Sequence, residues 1–137
     1  MLQVYSSNLE VAAGAVFPFN NVVIDKGCNE RLNASATIEL EKRGVYLVEV
    51  DGYVTPDAVG NVSIQLYVNG VAQPQAISIA SVSAVTDVQP LGFKTFVRVL
   101  QDNCNCNCLT SPTVLQILNG DTAVSDAHIN ACITKIC

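Results

Sequence analysis

The fold is decided by the stretch Val62-Ser63-Ile64-Gln65-Leu66-Tyr67-Val68-Asn69-Gly70. Aliphatic residues occupy every second position over residues 62–68, and other residues stand between them. Since successive side chains of a strand point to opposite faces, this alternation predicts a strand with one face in a core. Asn-Gly follows directly, and both residues tolerate the positive φ angles of a tight hairpin turn. The stretch therefore predicts two antiparallel strands, the second of which runs from residue 71 to about residue 82.

The same two-residue period recurs along the rest of the chain. Over residues 45–54, Tyr46 and Val48 share one face of a predicted strand, whereas Glu49 and Asp51 share the other. Turn signals recur about every ten residues, and no stretch has the apolar spacing of a helix. Together these features predict an all-β sandwich or jelly roll in a single domain spanning residues 1–137. Further strands are predicted at residues 15–19, 21–24, 37–40, 93–100, 113–118 and 124–136.

The charge distribution argues against nucleic acid as a partner. The chain has 12 acidic and 7 basic residues and a formal net charge of −5, whereas nucleic-acid binding needs clustered Lys and Arg. The basic residues are scattered along the sequence, and Lys42-Arg43 is the only adjacent pair. No cluster of basic residues in the sequence points to an anionic ligand.

The apolar segments are too short for membrane insertion. No run approaches the roughly 18 uninterrupted apolar residues of a membrane-spanning helix, so no membrane insertion is predicted. Residues 1–7 have no basic region followed by an apolar run, and therefore do not form a signal peptide. We expect synthesis in a cytoplasm, although a component of a particle can leave the cell by lysis.

Six cysteines are the most unusual feature of the composition. Three of them alternate with asparagines at residues 104–108, a segment that we expect to form an irregular loop because asparagine favours turns. An even number permits disulfides within or between chains, and such bonds typically stabilise a fold by about 2–4 kcal/mol. Metal binding and free thiols remain the alternatives. The disulfide candidates are Cys28, Cys104, Cys106, Cys108, Cys132 and Cys137.

The cysteine loop is also a candidate for a structural metal. In an extended segment, thiols two residues apart lie about 6.5–7 Å apart, which is too far for one tetrahedral ion with Cys ligands at about 2.3 Å. A curled loop could bring Cys104, Cys106 and Cys108 together, with His128 or Cys132 as the fourth ligand. The Cys-x-Cys spacing differs from the usual Cys-x2-Cys of zinc sites. Without such a site, no cofactor is expected.

No catalytic constellation is evident. His128 is the single histidine, and a nucleophilic triad would need it close to a nucleophile and an acid. Asp126 and Cys132 flank it on one predicted strand, but residues four apart on a strand are separated by roughly 13 Å. The histidine is therefore interpreted as structural or superficial, no catalytic residue is predicted, and the chain is not predicted to be an enzyme.

Aromatic residues mark a candidate interface. Tyr67 and Phe96 are predicted to lie opposite the main apolar face of their strands, where exposed aromatic side chains often mark contact surfaces. We expect them, together with Tyr46, to bury the axis of an oligomer. The alternative is ordinary packing of a sandwich on both faces of its sheets.

The central motifs resemble the complement globular-head and tumour-necrosis-factor-like superfamily. Residues 38–50 match its turn, Gly-x-Tyr and long alternating strand, and residues 64–70 match its strand that ends in an Asn-Gly hairpin. Residues 17–20 resemble the aromatic and Asn ahead of its second strand, and residues 126–136 take the place of its last strand. The resemblance implies a ten-stranded jelly-roll sandwich that assembles as a trimer around a threefold axis and serves binding or display.

More narrowly, the chain is similar to small globular-head-like proteins encoded in phages and prophages of Firmicutes. Lys-Gly-Cys at residues 26–28, the cysteine-rich loop and Thr-Lys-Ile-Cys at residues 134–137 carry this similarity. It implies a homotrimer made in a bacterial cytoplasm and displayed on the virion surface, as capsid decoration or fibre head, with a capsid or host-surface partner. The alternative is a phage-encoded protein that sequesters a small molecule or nucleotide inside the host cell.

Overall fold

The computed structural model describes residues 1–85, 87–100 and 108–137. These residues form ten strands joined by turns. The strands are β1 (Leu2–Val11), β2 (Asn21–Asp25), β3 (Glu30–Asn33), β4 (Thr37–Lys42), β5 (Gly44–Pro56), β6 (Gly60–Val68), β7 (Val71–Val82), β8 (Gln89–Val99), β9 (Cys108–Asn119) and β10 (Val124–Lys135). The part of the chain described here contains no helix that is long and apolar enough to cross a membrane.

Two antiparallel five-stranded sheets make up the sandwich. The first sheet has the order β2-β1-β10-β5-β8, and the second has the order β3-β4-β9-β6-β7. Strands distant in sequence are therefore direct neighbours, as in the pairing of β1 with β10. This arrangement confirms the predicted all-β, ten-stranded sandwich.

The hairpin predicted from the opening stretch is present. Strand β6 ends at Val68 and β7 begins at Val71, which pairs with it. Asn69 and Gly70 have φ angles of 50° and 80°, as a tight turn between twisted strands requires. The long strand predicted over residues 45–54 is also confirmed, since β5 covers it entirely.

Four parts of the sequence differ from the prediction. Strands β1 and β3 were not predicted, and the strand expected at residues 15–19 is replaced by a single bridge between Val16 and Leu118. Strand β9 begins at Cys108 and not near residue 113, so the third cysteine of the expected loop belongs to a strand. Cys104 and Cys106 lie outside the described residues.

The core between the sheets is built almost entirely from aliphatic side chains, with Phe17, Phe19 and Tyr46 as its large rings. Phe17 is held there because its backbone N–H donates to the Ile117 carbonyl at 2.8 Å. Buried Asn119 links backbone segments at one end of the core. Its Nδ2 donates to the carbonyls of Val11, Ala12 and Thr122 at 3.0–3.2 Å. Burial of the apolar set is the main stabilising term of such a fold.

Candidate subunit interface

Alternate residues of β1, β10, β5 and β8 point away from the core of the sandwich. Among them are Tyr5, Tyr53 and Phe96, which are exposed, and we call this surface the aromatic face. This surface follows from the two-residue period of a strand. The residues on either side of each of these along its strand face the core or its edge. The aromatic face is the candidate site.

The most apolar row of the aromatic face ends at Phe96. Thr134, Leu47 and Phe96 are direct neighbours across β10, β5 and β8. Leu47 is half-buried by its neighbours, whereas the side chain of Phe96 is 61% exposed on the edge strand of the sheet. Covering a phenyl ring of this kind stabilises a contact by about 1.5–3 kcal/mol, so Phe96 is the strongest apolar anchor on this face.

A polar row on the same face lies four residues farther along β5, roughly 13 Å from the row of Phe96, and it is already ordered within the subunit. Gln3 Nε2 donates to Asn130 Oδ1 at 3.1 Å, and Asn130 Nδ2 donates to Asp51 Oδ1 at 3.2 Å. Tyr5 lies beside this row, because its Cα partner is Asn130. Side chains that are held by one another lose little conformational entropy when a partner covers them, which suits a contact surface.

The far end of the aromatic face carries the single histidine. The His128 ring stacks on Tyr53 with centroids 4.6 Å apart and an angle of 24° between the planes. Its Nε2 lies 3.3 Å from Asp126 Oδ1, an approach that becomes an ion pair when the imidazole is protonated. The histidine thus belongs to an aromatic pair on this face.

The structure places His128 far from Cys108, which contradicts the expectation that these two residues share a metal site. Cys108 is the Cα partner of Lys42 in the second sheet, next to the start of β5 at Gly44. His128 pairs with Tyr53, nine residues farther along β5, which corresponds to roughly 30 Å. Among the described residues, no group of three or more His, Cys, Asp and Glu side chains could hold a metal ion. Cys104 and Cys106 are not among them.

The described cysteine side chains are free thiols in the subunit. Cys28 is exposed in the turn between β2 and β3, Cys132 is half-buried on the aromatic face, and Cys137 is exposed after β10. No bond within a subunit joins these three to one another. A disulfide to another subunit, or one that involves Cys104, Cys106 or Cys108, stays a prediction.

The three residues predicted for an interface lie in three different environments. Tyr46 is 0% exposed and forms part of the core, which corrects the expectation that it contacts another subunit. The sequence correctly predicted which face of its strand Tyr46 occupies, but that face points toward the core. Tyr67 is half-buried on the outer face of the second sheet, and only Phe96 lies on the aromatic face.

Two aromatic residues of this face were not predicted. Tyr53 follows Glu49 and Asp51 at the same two-residue spacing on β5, so the alternation already indicated that it points outward. Tyr5 lies on β1, which was not predicted as a strand. The signal for Tyr53 was therefore present in the sequence, whereas that for Tyr5 depended on finding its strand.

Comparison with known proteins identifies the fold. No family model matches the chain, and no curated protein matches it in sequence. In structure it is similar to murine APRIL at pH 5.0, with a TM-score of 0.70, 8% identity and 98% of both chains covered. It is also similar to the globular domain of the zebrafish complement 1qA protein, with a TM-score of 0.66, 10% identity, and 96% of this chain and 94% of that one covered.

A third solved structure with this fold is the PRD1 vertex protein P5. The TM-score is 0.63 at 18% identity, and the match covers 99% of this chain and 96% of that one. Similarity at such identities establishes the fold alone. The jelly-roll sandwich of tumour-necrosis-factor and complement globular-head type, which the sequence motifs resemble, is thereby confirmed.

Proposed function

We propose that this protein is a non-enzymatic structural and binding module that assembles as a homotrimer through the aromatic face. The single observation that carries the proposal is Phe96, an exposed phenyl ring in an apolar row of a well-ordered sheet. Exposed apolar side chains rimmed by polar ones mark contact surfaces. The ordered row Gln3–Asn130–Asp51 supplies polar groups elsewhere on the same face.

A threefold assembly also fits the kind of surface that the subunit offers. In a ring of three copies, each subunit contributes two different patches, and closure leaves no copy unpaired. The resemblance to the complement globular-head and tumour-necrosis-factor-like superfamily implies this symmetry, and the shared fold supports it. The aromatic face supplies one of the two patches, with Phe96 as its anchor.

Sedimentation velocity of two matched variants tests this assembly. Phe96→Glu places a charge on the aromatic face, and we expect it to shift the protein from trimer to monomer because an unpaired carboxylate would be buried in the contact. Val71→Glu introduces the same charge at a side chain of similar exposure, 63%, beside the β6–β7 hairpin. It should sediment as the unaltered protein does. Equal behaviour of both variants would refute a contact through Phe96.

The trimer is further proposed to be displayed on the surface of a phage particle, as capsid decoration or fibre head, with its loops toward a host surface. The fold shared with a protein named as the PRD1 vertex protein supports this role, as do the sequence features similar to phage-encoded globular-head proteins. Mass spectrometry of purified particles from the encoding phage should detect the chain in stoichiometric amounts. Its absence from particles and presence in lysed cells would favour the sequestering role.

A further inference from the structure

The fold gathers four of the seven basic residues around one depression. Lys42, Arg43, Arg98 and Lys135 line an open depression of about 620 Å³ at one end of the sandwich. This cluster could not be predicted from the sequence, because the four residues come from three distant segments. Within the described residues, the lining includes no Asp or Glu side chain.

Strand register is the cause of this clustering. Lys42 ends β4 and Arg43 forms the turn into β5. In the first sheet Val45 is paired with Arg98, and Tyr46 is paired with Lys135. The beginning of β5 therefore lies between the end of β8 on one side and the end of β10 on the other.

Gly44 allows the turn to pack closely against the end of β10. Its φ angle is +145°, and a Cβ atom at this position would lie 2.6 Å from Lys135 Cε and would overlap the carbonyl oxygen of Cys137. Any larger residue would push the turn outward. The absence of a side chain thus keeps the basic groups of the turn close to Lys135.

The electrostatics of the depression point to an anionic ligand. The chain as a whole is negative, with a net charge of −5, yet basic residues from three segments line this depression. Lys42, Arg98 and Lys135 have no ion pair with a carboxylate in the part of the chain that the structure describes. Repulsion among like charges is relieved when an anion binds between them.

The donor groups define the chemistry of that anion. A guanidinium group presents a planar fork that matches two oxygens of a phosphoryl group, and an ammonium group is a compact charge that complements it. The three basic groups of Lys42, Arg98 and Lys135 suit a ligand with at least two negative charges. The volume falls within the range of about 300–1,000 Å³ that is typical of small-molecule sites. We propose that this depression binds a phosphorylated small molecule through its phosphoryl groups.

Pyrophosphate is the probe for this site, and isothermal titration calorimetry at fixed ionic strength is the measurement. We expect saturable binding of one pyrophosphate per subunit. Lys135→Gln should weaken it at least about tenfold, because a charge-assisted contact is lost. The matched control is Lys26→Gln, which removes the same charge from an exposed residue after β2 that does not line the depression. It should change the affinity less than about twofold.

Three results would overturn the proposal. They are the absence of binding at millimolar pyrophosphate, an equal loss of affinity in Lys135→Gln and Lys26→Gln, and equally tight binding of citrate, a carboxylate anion of similar charge. If Lys135→Gln does not fold, Lys42→Gln, on β4 of the second sheet, replaces it with the same expected loss. The site lies within one subunit, so sedimentation of the same samples separates failure of this inference from failure of the proposed trimer.

Discussion

Tyr46 joins the core of the sandwich to the turn between β4 and β5. Its ring is fully buried, and its hydroxyl donates to the Lys42 carbonyl at 2.6 Å, with the Asn29 carbonyl at 3.3 Å. Burial is the main reason that the pKa of this phenol is raised to about 12, and the negative charge of Glu30 acts in the same direction. One hydroxyl group therefore fixes the backbone from which Lys42 and Arg43 reach the basic depression.

Replacement of this hydroxyl should change both stability and its dependence on alkaline pH. Tyr46→Phe should lower the free energy of unfolding at neutral pH by about 1 kcal/mol, since a buried hydrogen bond is lost. An unfolded phenol ionises near pH 10, below the folded pKa of about 12. Its contribution is therefore fully present below about pH 10 and is lost as the pH rises toward 12.

Urea denaturation between pH 8 and 11 measures this effect. The unaltered protein should lose more stability over that interval than Tyr46→Phe. Tyr67→Phe, which removes a hydroxyl from the outer face of the second sheet, is the matched control and should follow the unaltered protein. If Tyr46→Phe has the same slope with pH as the unaltered protein, the buried phenol does not titrate as described.

At the scale of the elements, β5 is the strand on which the first sheet depends. It lies between β10 and β8 and pairs with both over most of its length. Gly52 lies at its centre with a φ angle of +154°, and a Cβ atom there would overlap the carbonyl oxygen of His128. Strand β10 can approach this part of β5 only because the position has no side chain.

Gly52→Ala should therefore destabilise the protein by at least about 3 kcal/mol, because backbone atoms of β10 would have to move. Gly70→Ala is the matched substitution at a residue that also has positive φ, +80°, but has no atom within 4 Å of the added methyl group. It should cost only about 1–2 kcal/mol. Urea unfolding at one chain concentration compares the two, since assembly makes stability depend on concentration. Similar losses of unfolding free energy in the two variants would refute the close approach of β10 to β5 at Gly52.

Local patterns explain which elements the sequence predicts. The Asn69-Gly70 hairpin is predicted correctly because its turn and both strands are specified within a few residues. Strands β1 and β3 carry polar residues at inward positions, Ser6 and Glu30, both buried, which interrupt the apolar alternation. Apolar residues alternate over residues 15–19 as they would in a strand. The segment nevertheless forms only one bridge and buries its aromatic rings, because a side chain can fill the core without its backbone pairing with a neighbouring strand.

At the scale of the whole molecule, both surfaces discussed here depend on pairings between distant strands. The clustering of Lys42, Arg98 and Lys135 and the separation of His128 from Cys108 follow from register. Register between strands far apart in sequence is set by the packing of the complete sandwich. A single sequence therefore predicts the fold class and the outward positions of Phe96 and Tyr53, but neither the basic depression nor the pairing of distant strands that forms the aromatic face.

The central claim is that the aromatic face closes three copies of this chain into a ring. Multi-angle light scattering coupled to size-exclusion chromatography of the unaltered protein tests it most directly. We predict a molar mass of about 43.5 kDa, three times the 14.5 kDa of one chain, that persists on dilution to micromolar concentration. A mass of 14.5 kDa at every concentration would contradict the claim.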